Sequence, residues 1–257
     1  MEYKILSIGN SFSTDTFQYI EKIAKSVNID LKVYSLFIGG CSMNMHYENL
    51  VDDANEYELY THEQEGFVCL EKLTIKEALK RHKYHYINIQ QGSADGSRYT
   101  DFKSYEKIID IINIIKSLIN YECKFVFNMT WIGEETFNHP ELITYDRNQL
   151  AMFEKLCEVM KNDMSKLKEL ECISYTGTAI QNARTANIGI LTRDGYHLSL
   201  IVGRFIASLT YLSTIFDIDY DLVEFLPEMT EKERKVAIHA VKNALSNPFE
   251  VTDLSFI

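Results

Sequence analysis

Four segments of the 257-residue chain carry side chains that could do chemistry together. They are Gly9-Asn10-Ser11-Phe12-Ser13, Gly39-Gly40-Cys41-Ser42, Gln90-Gln91-Gly92-Ser93 and Arg193-Asp194-Gly195-Tyr196-His197. A nucleophilic serine needs a base to take its proton, a carboxylate to orient that base, and hydrogen-bond donors for the oxyanion. Ser11, His197 and Asp194 are candidates for the first three roles, and the two middle segments can supply donors. The Asp-x-x-His spacing lets both side chains leave one tight turn. The carboxylate then reaches Nδ1 of the imidazole and leaves Nε2 free for the serine.

Each segment alone has a plainer reading. Asp194 could cap the following helix, with His197 a surface residue. A strand followed by Gly and a capped helix is common in α/β proteins and can also bind phosphate. Both nucleotide fingerprints are missing, however: there is no G-x-G-x-x-G and no Lys-Ser/Thr after a glycine loop. The G-x-S-x-G elbow is missing too, so a serine nucleophile here would follow the first strand. A helix start needs no serine at a distant strand end, and the conjunction favours a hydrolase.

The hydrophobic pattern supplies the elements that must position these residues. Strands are expected at Tyr3–Ile8, Leu31–Phe37, Tyr84–Gln90, Lys124–Met129 and Cys172–Tyr175. Helices are expected at Thr14–Val27, Tyr105–Ile119, Asp146–Met160, Ser199–Phe216 and Thr230–Ala244, the last with Thr230 and Glu233 as a capping box. Such alternation implies a three-layer α/β fold, a parallel sheet with helices on both faces, whose ligands bind beyond the carboxyl ends of the strands. Residues 52–83 fit less well; the polar run Asp52–Gly66 reads equally as a hairpin or a surface excursion.

Composition narrows the function classes. With three prolines and no linker-like stretch, the chain reads as a single domain over 1–257. A net charge of -11 argues against a nucleic-acid partner, which needs a basic face. Five scattered cysteines without a C-x-x-C pair suggest neither a zinc site nor a disulfide framework. The apolar stretch Leu198–Phe216 carries Arg204 in its middle and reads as a buried helix rather than a membrane span. No segment resembles a signal peptide, and the expectation is a cytoplasmic protein without cofactor, metal or membrane partner.

Other candidates are weaker. Asp217, Asp219, Asp221 and Glu228 mimic part of a calcium loop, but Leu222 stands where the turn needs Gly. His82 and His85 read as surface residues. His46 and Trp131 could line a cleft or simply pack.

The first and last of the four segments, Gly9-Asn10-Ser11-Phe12-Ser13 and Asp194-Gly195-Tyr196-His197, resemble the corresponding blocks of the SGNH (GDSL-like) hydrolase superfamily. Gly39 to Met43, Gln90 to Ser93, Met129-Thr130-Trp131 and Gly177 to Arg184 resemble a branch near the carbohydrate esterases. The resemblance implies a flavodoxin-like sandwich with Ser11 as nucleophile, His197 as base and Asp194 as its orienter. It further implies an oxyanion hole built from the Ser11 N–H, a glycine N–H (Gly40, with Gly39 close behind) and a side chain of the third block. The superfamily usually places an Asn there after Gly-x, and this sequence does not. Gln90 or Gln91 is the expected substitute, Gln90 first, since strand alternation decides which of them turns inward. The implied activity is a carboxylic ester hydrolase removing a small acyl group, acetyl first, from a sugar or similar polar alcohol. A thioesterase or lysophospholipase on the same triad is the alternative. The altered third block also admits a catalytically silent module that binds a carbohydrate or nucleotide.

Overall fold

The computed structural model describes residues 1–63 and 66–257. The chain opens with β1 (Tyr3–Gly9), α1 (Ser11–Phe17), α2 (Ile20–Ser26), β2 (Leu31–Phe37) and α3 (Met43–Val51). A hairpin follows, β3 (Tyr57–Glu63) and β4 (Gly66–Leu73), then α4 (Ile75–Arg81) and β5 (Tyr86–Gln90). The middle comprises α5 (Lys107–Leu118), β6 (Lys124–Asn128), α6 (Pro140–Ile143), α7 (Gln149–Asn162) and β7 (Cys172–Ser174). Three helices end the chain: α8 (Thr176–Arg184), α9 (Val202–Ile215) and α10 (Glu231–Ser246).

The strands lie in the order β4-β3-β2-β1-β5-β6-β7. From β2 to β7 all pairs are parallel, while β3 joins β2 and β4 joins β3 antiparallel. Counted alone, the parallel strands follow the doubly wound order of flavodoxin-like sheets. The chain steps one way from β1 to β2 and the other way from β5 through β6 to β7. Right-handed crossovers therefore place their helices on opposite faces of the sheet. Ile5, Leu6, Ile8, Ile87 and Ile89 are fully buried between the two layers, as strands covered on both faces require.

Three local features depart from or complete the expected elements. The stretch expected as one helix over Thr14–Val27 is two. Ser208 of α9 inserts between them, its Oγ accepting the Tyr19 N–H (3.1 Å) and donating to the Thr16 carbonyl (2.7 Å). A side chain inserted into the i→i−4 ladder breaks a helix there. The ambiguous run Asp52–Gly66 contains the first strand of the β3–β4 hairpin, although residues 64 and 65 lie outside the described residues. Helix α10 has the reciprocal capping box, with Thr230 N–H on Glu233 (2.6 Å) and Glu233 N–H on Thr230 Oγ1 (3.2 Å). Among the described residues no helix is long and apolar enough to cross a membrane.

Candidate active site

In a doubly wound sheet the strand order reverses at one strand, and a crevice opens at its carboxyl end. That strand is β1, flanked by β2 and β5. β1 ends at Gly9, and Asn10 caps α1, its Oδ1 accepting the Phe12 N–H at 3.0 Å. The Asn10 Nδ2 also donates to the carbonyls of Cys41 (3.0 Å) and Gln91 (3.2 Å). One buried amide thus ties together the loops after β1, β2 and β5. Beneath α1, a strip of buried polar groups bonds strand to helix. Asn88 Nδ2 donates to Ser7 Oγ and Ser7 Oγ to Ser13 Oγ, each at 3.0 Å, and Asn128 Nδ2 donates to Thr16 Oγ1 at 3.0 Å.

Ser11 is the first residue of α1. Its Oγ lies 2.9 Å from His197 Nε2, and His197 Nδ1 lies 2.7 Å from Asp194 Oδ2. An ionised carboxylate only accepts, so His197 Nδ1 carries the proton and Nε2 is left to accept from the serine hydroxyl. The other Asp194 oxygen accepts two backbone N–H groups of its own turn, from Tyr196 (3.0 Å) and His197 (2.7 Å). Partial burial works against the Asp194 charge. The bonds from His197 and Tyr196 outweigh it and hold the carboxyl below the usual range. Asp194 caps this turn rather than a helix, since α9 begins only at Val202. Gly195, at φ +83°, lets the turn close. Its outer side is held by Trp131 Nε1 on the Tyr196 carbonyl and the Glu134 N–H on the Gly195 carbonyl, both 2.7 Å.

Gly40 sits at φ +65°, a conformation that favours glycine, and the Ala94 N–H donates to its carbonyl at 3.0 Å. Gly92 is needed for a different reason. A Cβ there would lie 2.2 Å from the Cys41 carbonyl oxygen and 2.4 Å from that of Gly40, so only glycine lets the second and third loops touch. Among the described residues the backbone N–H groups of Ser11 and Gly40 have no hydrogen-bond acceptor.

Both glutamines of the third segment bond to neighbouring loops. Gln91 Oε1 accepts the N–H groups of Met43 (2.7 Å) and Gly92 (3.0 Å), and its Nε2 donates to the Ser104 carbonyl. Gln90 is fully buried, its Nε2 donating to Asn10 Oδ1 at 2.7 Å. Both amides brace loops, and Gln90 Oε1 is left without a partner among the described residues. Alternation along the strand could not reveal this, because the partners come from other loops.

Neighbouring serines have other roles. Ser42 caps α3, accepting the Met45 N–H at 3.2 Å. Ser93 Oγ is 3.2 Å from His139 Nε2, a second Ser–His pair. Here Nδ1 accepts the Glu141 N–H at 3.3 Å, so Nε2 bears the proton and offers Ser93 no base. Trp131 and His46 pack rather than line the crevice, with 1% and 0% exposure.

Sequence reasoning overlooked Asp15, one helical turn after Ser11. Its carboxylate is completely buried and accepts from Arg193 Nη1 (2.9 and 3.2 Å), Arg204 Nε (2.7 Å) and the Leu198 N–H (2.8 Å). Arg204 was the available signal. An arginine inside an apolar helix implies a buried carboxylate partner.

His46 gives a stability prediction. Its Nδ1 is 2.8 Å from the Tyr57 hydroxyl, its Nε2 has no partner among the described residues, and burial lowers its pKa to about 3. Unfolded, it titrates near its ordinary value of about 6.5. Below that pH the unfolded chain takes up a proton that the folded chain refuses, so stability falls as pH drops toward 3. The contribution of His46 to this loss between pH 7 and pH 5 should be about 2 kcal/mol. Urea unfolding of wild type and His46→Gln at both pH values checks this. Equal losses in the two proteins would remove His46 as the cause.

Comparison with known proteins agrees with the fold. The sequence model of DUF4886, a domain of unknown function, matches residues 4–244. The chain belongs to the DUF4886 family. A crystal structure of a DUF4886 family protein from Bacteroides uniformis is similar over 100% of both chains, at 32% identity and a TM-score of 0.91. Beyond the family, a catalytic mutant of Axe2, an acetylxylan esterase from Geobacillus stearothermophilus, matches over 88% of this chain and 97% of its own. The identity is 13% and the TM-score 0.50, a likeness of fold. A member of the lipolytic G-D-S-L family from Veillonella parvula matches over 83% and 97%, at 12% identity and a TM-score of 0.49. No curated protein matches the sequence. This DUF4886 chain therefore has an α/β fold with a mostly parallel central sheet, similar in structure to that of the acetylxylan esterase Axe2.

Proposed function

We propose that this DUF4886 protein is a serine ester hydrolase that removes a small acyl group, acetyl first, from a sugar or similar polar alcohol. The observation that carries the reading is the unbroken chain Ser11 Oγ, His197 Nε2, His197 Nδ1, Asp194 Oδ2, with both gaps at hydrogen-bond distance. The acetyl and sugar preference draws on the acetylxylan esterase whose fold the chain shares.

In this reading Ser11 Oγ attacks the ester carbonyl carbon while His197 Nε2 takes the hydroxyl proton. The N–H groups of Ser11 and Gly40, which have no acceptor among the described residues, receive the developing oxyanion. Collapse breaks the bond to the alcohol oxygen, which leaves with the proton held on His197. A water then attacks the acyl-serine, giving its proton to His197, and the acid is released as Ser11 regains its hydrogen.

The experiment is labelling of the intact protein with a fluorophosphonate, followed by turnover of p-nitrophenyl esters and acetylated sugars. Stoichiometric labelling with acetate release is expected. A wild-type protein that neither labels nor turns over any ester of the panel would instead be a binding module on this fold.

A further inference from the structure

Ser11 and Asp15 are four residues apart on α1, and so lie on one face of the helix about one turn apart. The base of the site and its orienting carboxylate lie far away in sequence, on the segment 193–198. The neck of that segment closes on itself through the Arg193 N–H on the His197 carbonyl (2.9 Å) and a bridge between Thr192 and Leu198. These bonds shape the turn but do not place it against Ser11. Asp15 reaches both of its ends, taking the Arg193 guanidinium on the residue before Asp194 and the Leu198 N–H on the residue after His197. Arg204, from α9, binds the same carboxylate without touching the turn, and its Nη1 bonds Gln18 of the α1–α2 junction at 3.2 Å.

We propose that Asp15 is a positioning residue of this site, helping to hold the His197 imidazole at hydrogen-bond distance from Ser11 by fastening both ends of segment 193–198 to the helix that Ser11 begins. The proposal rests on the serine-hydrolase reading for its catalytic consequence, though not for the clamp itself. A carboxylate with no exposed surface survives only when its lone pairs are filled, so Asp15 is bound to its partners and they to it. Displacing a general base by a fraction of an ångström removes the near-attack geometry on which its contribution depends.

The test compares Asp15→Asn, Arg193→Gln, Arg193→Lys and Arg204→Gln in the full chain. An Asn amide cannot accept from the Leu198 N–H and both guanidiniums together. Asp15→Asn should slow fluorophosphonate acylation and lower kcat by about 10²-fold, with KM little changed. Arg193→Gln frees one end of the turn from a partly exposed position and keeps the proposal testable if Asp15→Asn does not fold. It should slow acylation about tenfold, with Arg193→Lys recovering much of the rate. Arg204→Gln should lower Tm at least as much as Arg193→Gln while slowing acylation less, because Arg204 holds the carboxylate but not the turn. Hydrogen exchange of the 193–198 amides, faster in Arg193→Gln than in wild type, reads the clamp without any chemistry. If the wild type fails to label, the hydrolase reading falls and the exchange result alone decides the clamp. Unchanged exchange in Arg193→Gln would overturn the proposal. So would acylation slowed equally by Arg204→Gln and Arg193→Gln, because the effect would then follow stability rather than position.

Discussion

Ser11→Ala should lower kcat for ester hydrolysis by about 10³-fold or more while leaving the far-UV circular dichroism spectrum unchanged. Fold and activity separate here because of what Ser11 does locally. It occupies the first position of α1, where alanine is well tolerated, and the cap is supplied by Asn10 rather than by Ser11 itself. Its hydroxyl bonds His197, so removing it takes away the nucleophile and leaves the packing beneath α1 intact. Peptide mapping after fluorophosphonate treatment should find the adduct on the Ser11 peptide of the wild type and no adduct in the variant. An adduct on Ser42 or Ser93 would sink the assignment. Both are poor candidates, since Ser42 is a buried helix cap and the imidazole beside Ser93 holds its proton on the nitrogen that faces it.

The second large effect is expected at the turn that carries the base and its orienting carboxylate. His197→Ala should cost nearly as much as the loss of Ser11, because the serine then has no proton acceptor. Asp194→Asn should lower kcat/KM by about 10³- to 10⁴-fold and be at least as damaging as Asp194→Ala. The reason lies in the two carboxylate oxygens. One accepts the N–H groups of Tyr196 and His197, so in the Asp194→Asn variant the carbonyl oxygen of the new amide must occupy that place. The amide NH₂ is then turned toward His197 Nδ1 and donates to it. That forces the ring proton onto Nε2, where it faces Ser11 and blocks proton transfer. Alanine loosens the turn but leaves the ring free to adopt the productive tautomer. Steady-state kinetics on the three variants decide the matter, and an Asp194→Asn enzyme more active than Asp194→Ala would contradict the tautomer account.

Much of this arrangement was legible from the residues alone, and the legible part is the local part. Strand and helix periodicity reports which side of a segment is buried, which is why the alternating elements and the three-layer architecture followed from pattern. Tight turns are equally local. The Asp-x-x-His spacing lets a carboxylate and an imidazole meet within one turn wherever that turn is placed, so Asp194 and His197 could be paired before any fold was known. Ser11 stood out because it follows the first strand directly after Gly-Asn.

The closing of the layers decided the rest. Ser208 breaks the first helix into two from α9, and no periodicity within residues 14–27 encodes an intruder from the far end of the chain. Gln90 and Gln91 carry the right chemical group for an oxyanion donor. What they do depends on Asn10, Met43, Gly92 and Ser104, which fold up around them and take those amides as braces. Asp15 resembled any acidic residue of an N-terminal helix until α9 and the 193–198 turn packed against it and surrounded it with two guanidiniums. A chain segment specifies what its side chains can bond. Which distant group satisfies a buried donor or charge is settled only when the surfaces that exclude water meet, because only then does leaving that group unpaired become costly.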